Sequence, residues 1–402
     1  MRFVSFDDEL SVDSFVHIFR MLPNCTFSRD QLNYKQGGFK NVHYGDVLIR
    51  YPTFKNGTDL DIPFINGSES LPSKHVVLHD GDLVIADTAE DYTTGKAIEL
   101  YNTTNQNILS GLHTIPCRPK LPFAPGYLGY YFNSVVMKRK QHPLIQGIKV
   151  YSLSRESLMS LSISYPSIRE QYKIASLLLK IDKRIEVQNK IIKDKKELKK
   201  GICEKKINNL QTELSLNDLI KKGYARTIKP SELLPFTGQK EYLSTSSINN
   251  NGISQVECKI TYENRPSRAC MFPMKNSVWF AKMKNTVKVF KSTDDDDEKY
   301  VLSTGFYGLL CEETKMNADW LYHLFKTNYF NDQKDRFSEG SSMSGIKDSQ
   351  FNDIKIKIFE NKLEEENFLS FLNLIDCSIQ VEIRLLELFQ NGKKYFLANL
   401  FI

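Results

Sequence analysis

No apolar run in this chain of 402 residues reaches the roughly 18 residues of a membrane-spanning helix. The seven cysteines (Cys25, Cys117, Cys203, Cys258, Cys270, Cys311 and Cys377) are odd in number and scattered. No two of them form a C-x-x-C pair, which argues against a disulfide framework and against structural zinc. The phosphate-binding pattern G-x-x-x-x-G-K-[ST] is also missing. "YTTGKA" at Tyr92–Ala97 has the Gly-Lys but lacks the first glycine and the hydroxyl residue. No glycine-rich cofactor loop follows a strand-like segment. Met1–Asp8 lacks the basic-then-apolar order of a secretion signal, so a cytoplasmic location is expected. The net charge of +6 is mild and permits an anionic partner without demanding one.

What the chain does have is a repeat. An alternating stretch (Leu161, Ile163, Tyr165) ends at Pro166 and runs into Ser167-Ile168-Arg169-Glu170-Gln171 and a long charged segment. A second alternating stretch (Ile354, Ile356, Ile358) runs into Glu364-Glu365-Glu366 and another such segment. Asp182 and Asp376 stand at the same place in the two segments, 194 residues apart (376 less 182). Gly111 and Gly305 share that separation, and Gly147 and Gly340 differ by 193. A fixed internal period sets the architecture, and 402 residues with 41% hydrophobic content suit two or three cores better than one.

The long segments read as helices. From about Ser167 to Leu210 there is no proline and one glycine, Gly201. Apolar side chains recur at three- and four-residue steps at Ile174, Leu178, Ile181, Ile185 and Ile192. A helix of about 35 residues would be about 50 Å long. The second segment, about Leu363 to Leu400, carries Phe368, Leu372, Ile375, Ile379 and Leu386. A narrow apolar stripe needs a partner stripe, and the nearest candidate is the other copy, so an antiparallel coiled coil is expected. The many lysines of the first segment read as a solvated face.

Each globule reads as mixed α/β. "HYGDVLIRY" (His43–Tyr51) and "HDGDLVIADTAED" (His79–Asp91) each place a Gly-Asp turn before a predicted strand. "NSVWFAKMKNTVKVF" (Asn276–Phe290) reads as two strands around Lys284-Asn285. An amphipathic helix is predicted in each globule, over Gly126–Lys140 and Ala318–Gln333, with the equivalent aromatics Tyr127 and Trp320, and Phe132 and Phe325, in the core.

The order of globule, glycine-containing loop, strand ending in proline, "EQ-x-x-I-A-x-L-L" and long helix, repeated once, resembles the specificity (S) subunit of type I restriction-modification systems. Pro166, Glu170, Gln171, Ile174, Ala175, Leu177, Leu178, Ile181 and Asp182 carry the resemblance in the first copy. Glu364, Glu365, Phe368, Leu369, Leu372, Ile375 and Asp376 carry it more loosely in the second, where Phe359-Glu360 replace the proline and Glu365 replaces the glutamine. "CTFSRDQLN" (Cys25–Asn33), "NVHYGDVL" and Gly81–Glu99 look like one class of target-recognition domain of that family.

The resemblance implies an α+β chain with target-recognition domains at 1–166 and 211–360. Two conserved helices, at 167–210 and 361–402, would pair as the spacer. It implies double-stranded DNA with a bipartite site as partner, each domain reading one half. Two modification (methyltransferase) subunits would dock on the helices, joined by restriction-translocase subunits. The subunit itself performs no chemistry, and S-adenosylmethionine, ATP and Mg2+ belong to the partner subunits. The absence of an Asn-Pro-Pro-aromatic site agrees with a chain that does not methylate adenine itself.

Sequence is read at base edges and register is held at phosphates, so basic, amide and hydroxyl side chains in the loops are the candidates. In the first domain these are Arg29, Lys35, Gln36, Lys40 and Tyr44, with Lys138 and Arg139 near the backbone. In the second they are Lys240, Ser247, Asn249, Lys282, Lys284, Arg336, Ser341 and Ser342. Two other readings compete. One is a metal-dependent DNA-acting enzyme using the Asp82–Glu90 carboxylates of the cluster Asp82, Asp87, Glu90 and Asp91, a cluster that more often serves turns and caps. The other is a coiled-coil scaffold that binds protein only.

Overall fold

The computed structural model describes residues 6, 9–67, 75–249, 252–337 and 348–401. Gly340, Ser341 and Ser342 lie outside the described residues. The fold mixes helices and strands in an α+β arrangement, and no helix among the described residues is long and apolar enough to cross a membrane. The chain divides into two compact units, Met1–Asn189 with Arg384–Ile402, and Lys190–Ile383.

In the first unit a sheet runs in the order Phe19–Met21, Thr114–Pro119, Leu83–Ala86, Ala97–Tyr101, Phe54–Asn56. The first four strands are antiparallel neighbours and the last pairs parallel. All four side chains of Leu83–Ala86 are buried, so this central strand reads as a continuous apolar run rather than an alternation. It follows the predicted Gly-Asp turn, where Gly81 takes a φ of 83° that only glycine adopts freely. In the second unit the main sheet runs Ala225–Thr227, Phe306–Cys311, Ser277–Ala281, Val289–Lys291, all antiparallel. Ranked by chain position, the four shared strands lie first, fourth, second, third in both sheets. The repeat in sequence is therefore a repeat in topology. Each unit adds a second sheet containing one parallel pair, Lys40–Val42 with Ile108–Ser110 and Lys240–Leu243 with Tyr300–Ser303.

Two expectations change. The amphipathic segments at Gly126–Lys140 and Ala318–Gln333 are each two helices, Tyr127–Phe132 and Val135–Gln141, then Ala318–Leu324 and Asn328–Arg336. The break falls at Ser134 and Thr327, matching positions of the repeat, whose hydroxyls accept the N–H groups of Met137 (3.2 Å) and Phe330 (3.5 Å). A hydroxyl that caps a new helix ends the old one. The segment "HYGDVLIRY" forms the helix Tyr44–Ile49 and no strand. The His43 ring accepts the Gly45 N–H, and Asp46 sits in the first turn, where a carboxylate suits the helix dipole.

The long helices span Ile168–Asn209 and Lys362–Asn399. Each begins with a polar clamp. Gln171 accepts the Ala124 N–H at 3.1 Å and donates to the Pro166 carbonyl at 2.9 Å. Glu365, its equivalent in the second copy, takes the backbone N–H of Asn317, and burial pushes its carboxyl above the ordinary range. Of the ten stripe residues predicted, Ile174, Leu178, Ile192, Leu372 and Ile379 are buried. Ile181, Ile185, Phe368, Ile375 and Leu386 are half-buried.

Each unit's core is closed by the start of one long helix and the end of the other. In the first, Ile174, Ala175 and Leu178 share a core with Leu400 and Phe401. The Phe401 ring packs on Tyr127 and Tyr131, with ring centroids 5.7 and 5.8 Å apart. In the second, Cys203, Ile207 and Leu210 share a core with Leu369, Leu372 and Trp320. Ion pairs follow the same logic: Lys393 meets Asp182 at 2.5 Å in the first unit, and Lys199 meets Asp376 at 2.5 Å in the second. In the second unit Lys195–Glu382 at 2.6 Å, Lys199–Asp376 and Lys206–Glu364 follow one another in opposite chain directions.

Burial of Phe401 at the far end of the chain gives a direct test. Phe401→Ala is expected to destabilise the first unit by about 3–5 kcal/mol, the cost of an unfilled aromatic site. Denaturant unfolding of the full chain measures it.

Candidate nucleic-acid interface

The first unit gathers its polar loop residues around one carboxylate. Asp46 is buried, and both its oxygens accept from Arg29: Nη1 to Oδ2 at 2.8 Å and Nη2 to Oδ1 at 2.8 Å. This bidentate pair holds the Arg29 guanidinium proton even more firmly than usual. Arg50, one helical turn after Asp46, reaches Oδ1 at 3.5 Å. The Tyr34 hydroxyl accepts from Arg29 Nη1 at 3.1 Å and from Arg50 Nη1 at 2.8 Å. Beside them Tyr44 lies between the rings of His43 and His113, at 4.7 and 5.3 Å. Burial, and then the Arg29 charge, push the His43 pKa down.

The remaining candidates of the first unit are placed differently. Lys35 and Gln36 are exposed in a turn whose backbone N–H groups donate to Asn33 Oδ1 at 2.8 and 3.0 Å. Lys40 is buried and turned inward, donating to the carbonyls of Gly57 (2.8 Å) and Asp59 (3.3 Å). Burial pushes its pKa down. Lys138 and Arg139 are exposed in the last turn of Val135–Gln141, away from the bonds of the Arg29 group.

In the second unit Lys282, Lys284 and Arg336 come together. The loop of the first two docks on the helix Asn328–Arg336, where the Asn285 N–H donates to Asp335 at 3.1 Å and Lys334 Nζ donates to Met283 O at 3.2 Å. Lys282 pairs with Asp348 at 2.5 Å, while Lys284 and Arg336 are exposed. Lys240 donates to the Asp297 carbonyl and lies over the rings of Phe236 and Phe272, at 5.2 and 5.6 Å. Ser247 is fully buried and accepts the Ser244 N–H at 3.1 Å, a turn-closing bond. Asn249 is exposed.

Sequence reasoning missed Arg50 and Tyr34. The signal that could have found them is the i, i+4 spacing of Asp46 and Arg50, visible only once the segment is read as helix.

The Asp82–Asp91 carboxylates do not converge. Asp82 is buried against Arg118, which donates from Nε at 2.8 Å and from Nη2 at 2.6 Å, and it also accepts the His79 N–H at 2.7 Å. Asp87 accepts from Thr88 at 2.7 Å and Asp91 accepts the Thr93 N–H at 2.9 Å, while Glu90 is exposed. Among the described residues no three His, Cys, Asp or Glu side chains could hold a metal ion. The cluster is turn and ion-pair chemistry.

A cleft of about 410 Å³ in the second unit is lined by Lys291, Asp319, Tyr322, His323 and Asp376, among others. Two of its carboxylates are ion-paired, Asp319 with Lys291 and Asp376 with Lys199. Burial pushes the His323 pKa down to about 3, with Lys199, Lys326 and Lys291 adding to the effect.

Both environments can be tested. Asp82→Ala strands the Arg118 guanidinium and is expected to cost about 3–5 kcal/mol, while Mg2+ and EDTA leave the melting temperature of the parent protein alike. For His323 the unfolded chain binds a proton below about pH 6.5 and the folded chain does so only near pH 3. Stability from this residue is full above the first value and is lost as pH falls, at up to about 1.4 kcal/mol per pH unit. Subtracting the stability–pH curve of His323→Phe from that of the parent should isolate that slope. A flat difference between about pH 6.5 and about pH 4 would contradict it.

No protein-family model and no curated protein matches the sequence. Solved structures do match. The S subunit of a type I restriction-modification system from M. genitalium is 12% identical, with a TM-score of 0.53 over 99% of this chain and 98% of that one. A chain from a structure of type I restriction-modification complex assembly and conformational transition is also 12% identical, with a TM-score of 0.53 over 96% of each chain. Over its whole length, the chain shares its fold with type I restriction-modification specificity subunits.

Proposed function

We propose that this chain is the specificity subunit of a type I restriction-modification complex. The observation that carries the reading is the fold match across 99% of the chain, joined to a doubled architecture whose two sheets share one strand order. In this reading the two globules are target-recognition domains, each taking one half of a bipartite double-stranded DNA site. The long helices pair as an antiparallel coiled coil that sets the spacing. The ion pairs and shared cores within each unit support such pairing.

Half-sites read by two rigid modules must lie at a separation fixed by the protein, as in two-fold DNA binders. Two modification subunits dock on the helices, and restriction-translocase subunits complete the assembly. The chain performs no chemistry of its own. S-adenosylmethionine, ATP and Mg2+ act in the partner subunits. The candidate contacts that suit the reading are the exposed ones: Arg29, Lys35, Gln36, Lys138, Arg139, Asn249, Lys284 and Arg336. Lys40 and Ser247 serve the interior instead.

Methylome sequencing with and without the gene tests the proposal. Loss of one bipartite methyladenine motif is the expected result, and an unchanged methylome refutes it. Charge removal at Lys138 and Arg139 together should weaken DNA binding alike on all sequences and reduce the salt slope by about 2, measured by titration at several salt concentrations.

A further inference from the structure

Asp46 divides two arginines into two different jobs. It occupies the end of the Arg29 guanidinium with two 2.8 Å bonds, so that group is neutralised and fixed. Arg50 gives Asp46 only one long contact, 3.5 Å, and spends the same Nη1 on Tyr34 at 2.8 Å. Its Nε and Nη2 have no partner among the described residues. Those two N–H groups form a planar fork on a side chain that is 46% exposed. The guanidinium is held from one side by Asp46 and Tyr34, and its carbon lies 5.5 Å from the Tyr34 ring centre.

Tyr34 completes the pattern. Its oxygen accepts from both arginines, so its own proton is available as a donor to a third partner. Tyr34 is 49% exposed. The head therefore presents donors and no acceptor: the Arg50 fork and the Tyr34 hydroxyl. In the major groove guanine is the base whose edge offers two adjacent acceptors, N7 and O6. Adenine places a donor beside its N7, and cytosine presents a donor. With Arg29 and Asp46 cancelling, the head carries one net positive charge, on Arg50.

We propose that Arg50 is a specificity-determining residue that reads a guanine in the half-site of the first unit, with Arg29, Asp46 and Tyr34 as its positioning residues. This rests on the reading of the chain as a specificity subunit. Holding the fork in place beforehand removes the ordering cost that a free arginine carries on binding. It also makes lysine a poor substitute, since an ammonium has no planar fork.

The test uses the full methylation complex, with wild-type chain, R50A, R50K and Y34F, acting on a randomised DNA library. Methylated products are sequenced. If the wild type yields no bipartite motif, the specificity-subunit reading itself fails, and this inference with it. If it yields one, R50A is expected to lose preference for guanine at one position of one half-site by about tenfold or more, with the other half-site unchanged. Y34F should give a smaller loss at the same position. A uniform drop in methylation with the motif intact would mean that Arg50 touches phosphate, and it overturns the proposal. Should R50A no longer support methylation, R50K decides: relaxed preference at a single guanine supports the assignment, and a wild-type motif refutes it.

Discussion

A lysine of one long helix meets an aspartate of the other, and the chain makes this contact twice. Lys199–Asp376 and Lys393–Asp182 have the same 2.5 Å separation, and the two lysines, like the two aspartates, are equivalent positions of the repeat. The pairs are partly exposed, so each contributes about 0–1 kcal/mol. Their importance is in register. Asp182 also accepts the Tyr130 hydroxyl at 2.6 Å, and Lys393 lies 5.7 Å from the Tyr130 ring centre. A one-residue slip of the helix that carries Asp182 would break the ion pair and the phenol bond together. The large energies lie nearby, where Ile207 and Phe401, again equivalent in the repeat, fill the two cores.

That arrangement binds the ends of the chain to its middle. The first unit buries residues near 401 beside residues near 130, so its core cannot close until the last helix has been made. Contacts of such sequence separation slow folding, because the loop must be ordered before the contact rewards it. The gain is a frame that tolerates variation elsewhere. Gln171 and Glu365 hold the helix starts, while Ser134 and Thr327 cap the second helix of each helical pair. The loops carried by this frame differ freely. An Asp46-centred arginine pair in one unit has no counterpart among the described residues of the other, where Lys282 pairs with Asp348 and Arg265 stacks over Tyr262 at 3.9 Å.

The frame was the legible part, and the loops were not, for a physical reason. Helix stripes and apolar strand runs follow short, fixed patterns, so Ile174, Leu178 and Leu83–Ala86 announced themselves. The repeat also predicted that Asp182 and Asp376 are equivalent. Local competition defeated the pattern elsewhere. Ser134 and Thr327 broke two helices that looked continuous, because a hydroxyl satisfies a new helix start as well as it decorates an old one. Val47, Leu48 and Ile49 looked like a strand, yet Ile49 is exposed and the segment is helical. Lys40 looked like a DNA contact by residue type, and only the fold shows its ammonium turned to backbone carbonyls. Residue type states what a side chain can bond. It does not state which bond has already been made.

That distinction governs how a net charge of +6 would bear on the proposed DNA partner. Of the basic groups near the first unit's loops, Arg29 is neutralised by Asp46 and Arg118 by Asp82. Each such pair removes one cation from the sequence-independent attraction to phosphate, which is the term that holds a protein at wrong sites as firmly as at right ones. On the proposed reading, a reader of a split site would have to leave wrong sequences quickly. Cancelling charge with a buried carboxylate while fixing the geometry above it would lower that attraction and leave discrimination to donors aimed at base edges. On the proposed reading, a carboxylate under an arginine would weaken general binding while fixing the donors that discriminate, and this is the part Asp46 would play from the first turn of its helix.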